Sequence, residues 1–423
     1  MSKTSRSLVR GVSLIGAGMS KFGSFPEKSS RDLFVEAFLE MRSSVDREFD
    51  PRDIEALYIG NFSSDLFEGQ AHTAPIMADA VGMIPRPAVR VEDACASSGV
   101  ALREGILAVA SGLYDIVLVG GIEMMTKLPT SKVTDTLAAA GDVLYEIPVG
   151  FTFPGFYAAM ATAYFDHYGA SPEDLMRVAL KNHANGALND KAQFGVSIPD
   201  WMEKRKASAQ RKGKPVPDWT DEWDFLADNR ANPMIAWPLR LFDCSPITDG
   251  ASAALLVADE IAGSFTDHPI RIIGTGQASD YPLHDREDLT SIQAASLAGQ
   301  QAYQMAGVGP EDIQLAEVHD CFTIAELIAC EDLGFFKPGR AFQAVAEGKT
   351  DRDGIIPINT SGGLKSKGHP VGASGIGQTV EIFKQLRGRG GERQIPGKPS
   401  LGLTHNVGAT GQTCAVHIYR REK

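Results

Sequence analysis

The chain reads as an α/β protein in which one β-α-β-α-β plan is written twice. Three observations carry that reading. Short buried apolar runs ending in glycine alternate with helical stretches, the pattern of sheets covered by helices. Val12-Ser13-Leu14-Ile15-Gly16-Ala17-Gly18 returns 258 residues later as Ile270-Arg271-Ile272-Ile273-Gly274-Thr275-Gly276. The pair Asp53-Ile54 returns as Asp312-Ile313 at an offset of 259, so the register holds across a strand, a helix and the approach to the next strand. A strand–turn phrase reused by chance would not keep two anchors at nearly one offset.

In chain order, the first strand is followed by a helix from about Ser30 to Val45 and a strand around Leu57-Tyr58-Ile59-Gly60. Cys95 opens a small-residue-rich helix to Ser111, and Ile116 to Gly120 is the next buried strand. The second half repeats this plan. After the strand at Ile270 come a helix from about Ser291 to Gly307, a strand leading into Glu317-Val318-His319-Asp320, a helix from Gly372 to Leu386 and a strand from Ser400 to Thr404. Such alternation predicts largely parallel sheets. Duplication predicts two sheets packed about a pseudo-twofold axis, with the chemistry where the halves meet. The repeat is interrupted from about Ile122 to Phe242, too long for a loop, so a subdomain is expected there. The expected division is 1–121 with 243–265 for the first half, 122–242 for the inserted subdomain and 266–423 for the second half.

Of 423 residues, 43% are hydrophobic and 22% charged, a balance suited to a large globular core. A net charge of −12 argues against a general binder of nucleic acid or anionic membrane. No apolar run approaches the roughly 20 residues of a membrane helix, and residues 1–10 lack the apolar core of a secretory leader. The ending Arg421-Glu422-Lys423 is no peroxisomal address. Five cysteines without a CxxC pair predict neither a disulfide framework nor a zinc ribbon. A cytoplasmic protein is expected.

Four clusters carry chemistry. Cys95, in Asp93-Ala94-Cys95-Ala96-Ser97-Ser98-Gly99, stands at a helix N-terminus, where the dipole favours thiolate. Read alone, it is equally a buried packing cysteine. His369 lies in the Gly-rich loop Gly362-Gly363-Leu364-Lys365-Ser366-Lys367-Gly368-His369-Pro370 and is the second-half counterpart of Cys95. That loop suits an exposed base, and it lacks the GxxxxGK[ST] of a phosphate loop. His319-Asp320-Cys321-Phe322 follows a strand, where open sheets place catalytic loops. Thr404-His405-Asn406-Val407-Gly408 also follows a strand, and its glycine can offer an amide to an oxyanion. Any one of these histidines suits a structural place as well as a catalytic one. Three of the nine on strand-end loops of one half, with a helix-capping cysteine, is the sharper coincidence.

These four segments, in this order, resemble the thiolases, most closely the sterol-carrier-protein-type branch with its archaeal and bacterial acetoacetyl-CoA thiolase relatives. Phe153-Pro154-Gly155 and Leu241-Phe242-Asp243-Cys244-Ser245-Pro246 fit the same likeness, which runs from about Val12 to Tyr419. Common thiolases carry Asn-Glu-Ala-Phe and a second catalytic cysteine. Here His319-Asp320-Cys321-Phe322 replaces the tetrad and His405 stands near that cysteine's place, departures this branch shares.

The resemblance implies the thiolase fold, two βαβαβ halves in a five-layer αβαβα sandwich, and reversible Claisen chemistry on a 3-oxoacyl-CoA. It implies Cys95 as nucleophile, His369 as its base and Cys321 as the acid/base at the departing carbanion. His319 and His369 would serve the enolate oxygen, and the N–H groups of Cys95 and Gly408 the tetrahedral oxyanion, with His405 in support. Coenzyme A is implied as substrate, with no permanently bound cofactor and no metal. Its expected contacts are Lys204, Arg205, Lys206, Ser361 and Gly362. The first three belong to a basic stretch flanked by Trp201, Trp219, Trp223 and Trp237, which reads as a phosphate contact, a reshaped acyl pocket, a docking site or a solvated loop. Expected partners are a second copy of the chain and a small zinc-ribbon/OB-fold protein. Acetoacetyl-CoA is the default substrate, with a bulkier aromatic or branched thioester such as benzoylsuccinyl-CoA beside it. Rival readings are a ketosynthase, a hydroxymethylglutaryl-CoA-synthase-like condensing enzyme, and a non-catalytic lipid carrier or scaffold. Cys244, Cys330 and Cys414 are expected to be packing residues.

Overall fold

The computed structural model describes residues 7–422; the readings placed on residues 1–6 and on Lys423 lie outside them. One hydrogen-bonded sheet contains β1 (Val12–Met19), β2 (Ala56–Gly60), β3 (Ala88–Val91), β4 (Ile116–Glu123), β5 (Gly250–Ala258), β6 (Ile270–Ser279), β7 (Ala316–Glu317), β8 (Leu401–Gly408) and β9 (Thr413–Arg421). Their spatial order is β3-β2-β4-β5-β1-β6-β9-β8-β7. Outward from the central pair, one half runs β1, β5, β4, β2, β3 and the other β6, β9, β8, β7. A parallel bridge from Ala316 to Ile358 stands where β3 stands in the first half. The written repeat is thus a repeat of topology.

Two expectations are corrected. The half-sheets are not separate: β1 and β6 pair antiparallel through Ser13 with Arg271 and Leu14 with Ile270. Each is the inner edge of its half, and pairing covers backbone groups that an open edge would leave unmatched. Nor are the sheets largely parallel. Parallel pairing is confined to β3-β2-β4 and β8-β7, while β5 and β9 run antiparallel to both neighbours. For β9 the reason is local, because it follows β8 after only residues 409–412, and so short a link joins only antiparallel strands.

The helices of ten residues or more are α1 (Ser30–Ser44), α2 (Ser97–Ala110), α3 (Phe153–Tyr168), α4 (Pro172–Gly186), α5 (Ile198–Arg211), α6 (Gln293–Ala306), α7 (Thr323–Asp332) and α8 (Ser374–Leu386). Helix α1 starts in a capping box, Ser29 with Asp32, and buries Leu33, Phe34, Ala37, Phe38 and Met41 on the outer face of the first half-sheet. Helix α6 covers the second half-sheet through Ala294, Ala295, Ala298 and Ala302. Helices α2 and α8 lie against each other between the half-sheets, burying Leu102, Ile106, Ile376, Val380 and Phe383. Layers therefore alternate helix, sheet, helix, sheet, helix. At the α2–α8 crossing, a Cβ on Gly375 would stand 2.4 Å from the Gly99 nitrogen, so glycine is required for this approach.

Between β4 and β5 the chain makes α3, α4, α5 and a small hairpin of Met234–Ala236 with Leu239–Arg240. Met176, Ile198, Met202, Trp219, Phe225 and Leu226 give this segment a small core of its own. Among the described residues, no helix is long and apolar enough to cross a membrane.

Candidate active site

Each half presents the same device at the centre. A 3-10 turn, Ala94–Ala96, runs directly into α2, and its counterpart Val371–Ala373 runs directly into α8. Cys95 is the middle residue of the first turn, and His369 lies just before the second. Ala94 adopts φ +48°, a left-handed conformation that costs a non-glycine residue energy and turns the next side chain inward. Ser97 holds the turn, its Oγ accepting from the Asp93 amide at 2.9 Å and donating to the Ala94 carbonyl at 2.6 Å. The Cys95 sulfur and a ring nitrogen each of His319 and His369 lie within 4.8 Å of one another. The two imidazoles are nearly perpendicular, 82°, with centres 5.1 Å apart.

Buried polar contacts hold these loops. The Val318 amide donates to Asn359 Oδ1 at 2.9 Å, and the His319 amide to His405 Nδ1 at 3.3 Å. Asp320 is turned away from the cavity: its carboxylate accepts from the Leu364 amide at 2.6 Å and Asn182 Nδ2 at 2.8 Å, tying the His319 loop to the His369 loop. The His369 amide donates to Thr248 Oγ1 at 2.9 Å. Asn406 bridges the two halves. Its Nδ2 lies 3.1 Å from the Cys95 carbonyl and 3.2 Å from His319 Nδ1, and its Oδ1 accepts from the Gly99 amide at 3.2 Å. Nothing in the sequence except its place beside His405 pointed to Asn406.

Beside the Cys95 sulfur opens a cavity of about 460 Å³, walled mainly by apolar side chains that include Met125, Leu137, Phe153, Ile247, Phe322 and Val371. Cys95, His369 and Cys321 all line it. The Tyr157 ring stacks on Phe322 at 4.6 Å, and its hydroxyl lies beside Cys321 and 3.2 Å from the Ala409 carbonyl.

Several expected positions fall elsewhere. The amide aimed at the Cys95 sulfur belongs to Ala409, not Gly408, because Ala409 takes φ +53° as the chain leaves β8. His405 is buried in β8 behind His319 and does not line the cavity. Ser361 is turned inward, its amide and hydroxyl both donating to Glu317, and Gly362 packs against Gly186. Lys204, Arg205 and Lys206 do not line the cavity either. Arg205 lies over the Phe225 ring and donates to the Ala231 carbonyl at 3.1 Å, and Lys206 pairs with Glu203 at 3.0 Å. None of the four tryptophans lines the cavity; Trp219 is core of the inserted segment and Trp237 is exposed. Cys330 and Cys414 are fully buried as expected, but Cys244 lines the cavity, with the Lys365 ammonium donating to its carbonyl.

Burial dominates the electrostatics. It pushes the Cys95 thiol up to about 12 against the opposing pull of the Ala409 amide. It holds His369 down to about 3, aided by the Lys367 ammonium, and holds His319 well below the usual imidazole range. The resting pair is therefore a thiol and a neutral imidazole. The helix dipole, typically worth no more than about 2 kcal/mol, does not overcome desolvation here. One thiolate and two imidazoles also make a set that a soft divalent ion uses. His319 does not fit that set, because Asn406 already donates to its Nδ1, which leaves the proton on Nε2.

The N-terminal thiolase domain model matches residues 12–260 and the thiolase C-terminal domain-like model residues 276–421. The chain belongs to the thiolase family, with the fold its sequence motifs implied, and so to the acyltransferases. It is similar to the acetyl-CoA acetyltransferase of Methanothermobacter thermautotrophicus, 43% identical over 98% of this chain and all of the relative. It is 30% identical to the benzoylsuccinyl-CoA thiolase subunit BbsB of Thauera aromatica, over 95% of each chain. Among solved structures, a chain of the Ltp2-ChsH2(DUF35) aldolase superposes with a TM-score of 0.78 at 25% identity, covering 98% of this chain and 99% of that one. Human mitochondrial 3-ketoacyl-CoA thiolase in complex with CoA superposes at 0.69 and 19% identity, covering 99% of this chain and all of that one, a likeness of fold.

Proposed function

We propose that this protein is a CoA-dependent thiolase that cleaves or forms short, uncharged 3-oxoacyl-CoA thioesters, with acetoacetyl-CoA the default. The observation that carries the reading is the grouping of Cys95, His319 and His369 within 4.8 Å beside an apolar cavity that Cys321 also lines. In the cleavage direction His369 Nε2 takes the Cys95 proton as sulfur adds to the 3-keto carbon. The oxyanion formed there accepts the N–H groups of Cys95 and Ala409. The C2–C3 bond then breaks and its electrons pass to the thioester oxygen as an enolate, met by His319 and by protonated His369. Cys321 delivers a proton to C2, and acetyl-CoA leaves. A second CoA returns a proton to Cys321 and attacks the acyl group, and Cys95 departs and recovers its proton from His369.

The two substrates separate on charge. No lysine or arginine is among the described residues lining the cavity, so a carboxylate on the acyl group, as in benzoylsuccinyl-CoA, would enter a largely apolar space without a cationic partner. A carrier or scaffold has no use for two thiols and an imidazole facing one apolar pocket, and the His319-Asp320-Cys321-Phe322 loop together with Gly368-His369-Pro370 favours thiolysis over a ketosynthase or a hydroxymethylglutaryl-CoA-synthase-like reaction. Residues 1–121 with 243–265, 122–242 and 266–423 are the working domains, the middle one covering CoA. The enzyme acts as a homo-oligomer in the cytoplasm. It engages a small zinc-ribbon/OB-fold partner, for which the Ltp2-ChsH2(DUF35) neighbour is the support.

The test is intact-protein mass spectrometry after incubation with a panel of acyl- and 3-oxoacyl-CoA thioesters, with Cys95→Ser as control. A mass gain of one acyl group, lost in the control, is expected. No adduct from any thioester, with or without the candidate partner, would overturn the proposal.

A further inference from the structure

We propose that Asn406 is a positioning residue that fixes the proton on His319, so that the two imidazoles are locked in opposite tautomers, one a donor and one an acceptor. The inference rests on the thiolase reading for its consequences but not for its geometry. Asn406 is 1% exposed, and its amide cannot be turned round. Its Oδ1 faces the Gly99 amide, which can only donate, and its Nδ2 faces the Cys95 carbonyl, which can only accept. The second Nδ2 hydrogen therefore points at His319 Nδ1, 3.2 Å away, which must be bare. The His319 proton sits on Nε2, which has no partner among the described residues.

His369 is set the other way. Its Nδ1 lies 2.7 Å from Ser374 Oγ, and that hydroxyl lies 3.0 Å from the Pro370 carbonyl. A carbonyl only accepts, so the hydroxyl hydrogen goes to Pro370 and Ser374 accepts from His369 Nδ1. His369 Nε2 is left bare and without a partner among the described residues. A base for the Cys95 proton and a donor for a developing enolate oxygen thus stand side by side, and burial keeps both neutral. The fold makes room for this device. A Cβ on Gly99 or Gly375 would stand 2.7 Å or 2.3 Å from Asn406 Oδ1, so both helix starts are bare where the amide passes between them.

The experiment is ring-¹⁵N-histidine NMR on the whole protein, with His319→Gln and His369→Gln to assign signals. The wild type should show His319 protonated on Nε2 and bare on Nδ1, with His369 reversed. In Asn406→Asp the carboxylate cannot donate, so the His319 Nδ1 should become protonated. Turnover of the carbon–carbon step should then fall about 100- to 1000-fold, the loss expected for one oxyanion donor, with KM changed less than about threefold. A merely structural role would not move the tautomer. A wild-type His319 protonated on Nδ1, or an Asn406→Asp protein that keeps its tautomer or its turnover, would overturn the proposal. Should that variant not fold, the wild-type spectrum alone decides. Failure of the thiolase reading would look different: the tautomers would stand, and wild-type Cys95 would take up no acyl group.

Discussion

Alkylation of Cys95 as a function of pH sets two physical effects against each other. A thiol at a helix start, with its pKa at or below the free value of about 8.5, would be a few per cent ionised at pH 7 and mostly ionised at pH 9. Its alkylation rate would then level off within that range. Burial instead pushes Cys95 up to about 12. The ionised fraction is then about 10⁻⁵ at pH 7 and 10⁻³ at pH 9, a tenfold gain per pH unit with no plateau. The neutral reagent iodoacetamide, substrate-free protein and peptide mass spectrometry between pH 6 and 10 give the rate at each cysteine. Cys244, in the same cavity and also pushed up to about 12, is an internal comparison. Expected for Cys95 is a straight line of unit slope in log rate, and a much faster reaction with thioester substrates, whose binding brings an electrophile between thiol and His369. A plateau below pH 9 would refute the reasoning and restore the dipole as the dominant influence.

Four further outcomes are expected. Cys321→Ala should still acquire the acyl group from a simple acyl-CoA while carbon–carbon cleavage falls at least about 100-fold, a loss typical of a removed general acid; unchanged cleavage rates would exclude that role. Gly375→Ala should lower thermal stability measurably, because its Cβ would need about 1 Å of backbone retreat from Gly99, an overpacking cost of about 1–3 kcal/mol or more. Glu123 accepts from Asn61 Nδ2 and from the amides of Phe62, Ser63 and Gly372, so it pins the end of β4 to the turn that opens α8. Glu123→Gln puts an amide against those donors and should cost about 1–3 kcal/mol in denaturant melts. His183, stacked on Phe194, is held down to about 3 by burial, whereas its unfolded value is about 6.5. The unfolded chain binds the extra proton between those values, so the stability this group contributes is present above pH 6.5 and is lost as pH falls toward 3. His183→Gln should flatten the acid limb of urea melts by up to about 1.4 kcal/mol per pH unit.

What was legible in the sequence was whatever depends on local structure and on the repeat. Cys95 and His369 stood out because each precedes a helix in a run of small residues, and because the repeated plan puts those two helix starts at corresponding points of the two halves. The 3-10 turns at Ala94–Ala96 and Val371–Ala373 bear out that correspondence. Asn406 was invisible because its partners, Gly99 and Cys95, lie 307 and 311 residues away. The one-residue shift from Gly408 to Ala409 was hidden too, since an alanine gives no warning of a left-handed backbone. The basic stretch stayed ambiguous for another reason. Charge in a sequence reports composition, whereas Arg205 spends its guanidinium on Phe225 and a neighbouring carbonyl.

The same crossing of helices answers both the packing problem and the chemical one. Two half-sheets joined at β1 and β6 leave a layer between them that only α2 and α8 fill, and they fit only where Gly99 and Gly375 let their backbones touch. That approach brings the two helix-opening turns to one point, and with them the thiol and the base. It also buries both groups, and burial suppresses the very ionisation that a helix start would encourage. The consequence is a thiol that stays protonated until an electrophile and a proton acceptor are both in place. Reactivity then depends on the bare Nε2 of His369 and on the Nε2 proton of His319, and these are set by Ser374 and Asn406. On the proposed mechanism the tautomers, more than the charge on sulfur, decide when Cys95 becomes a nucleophile.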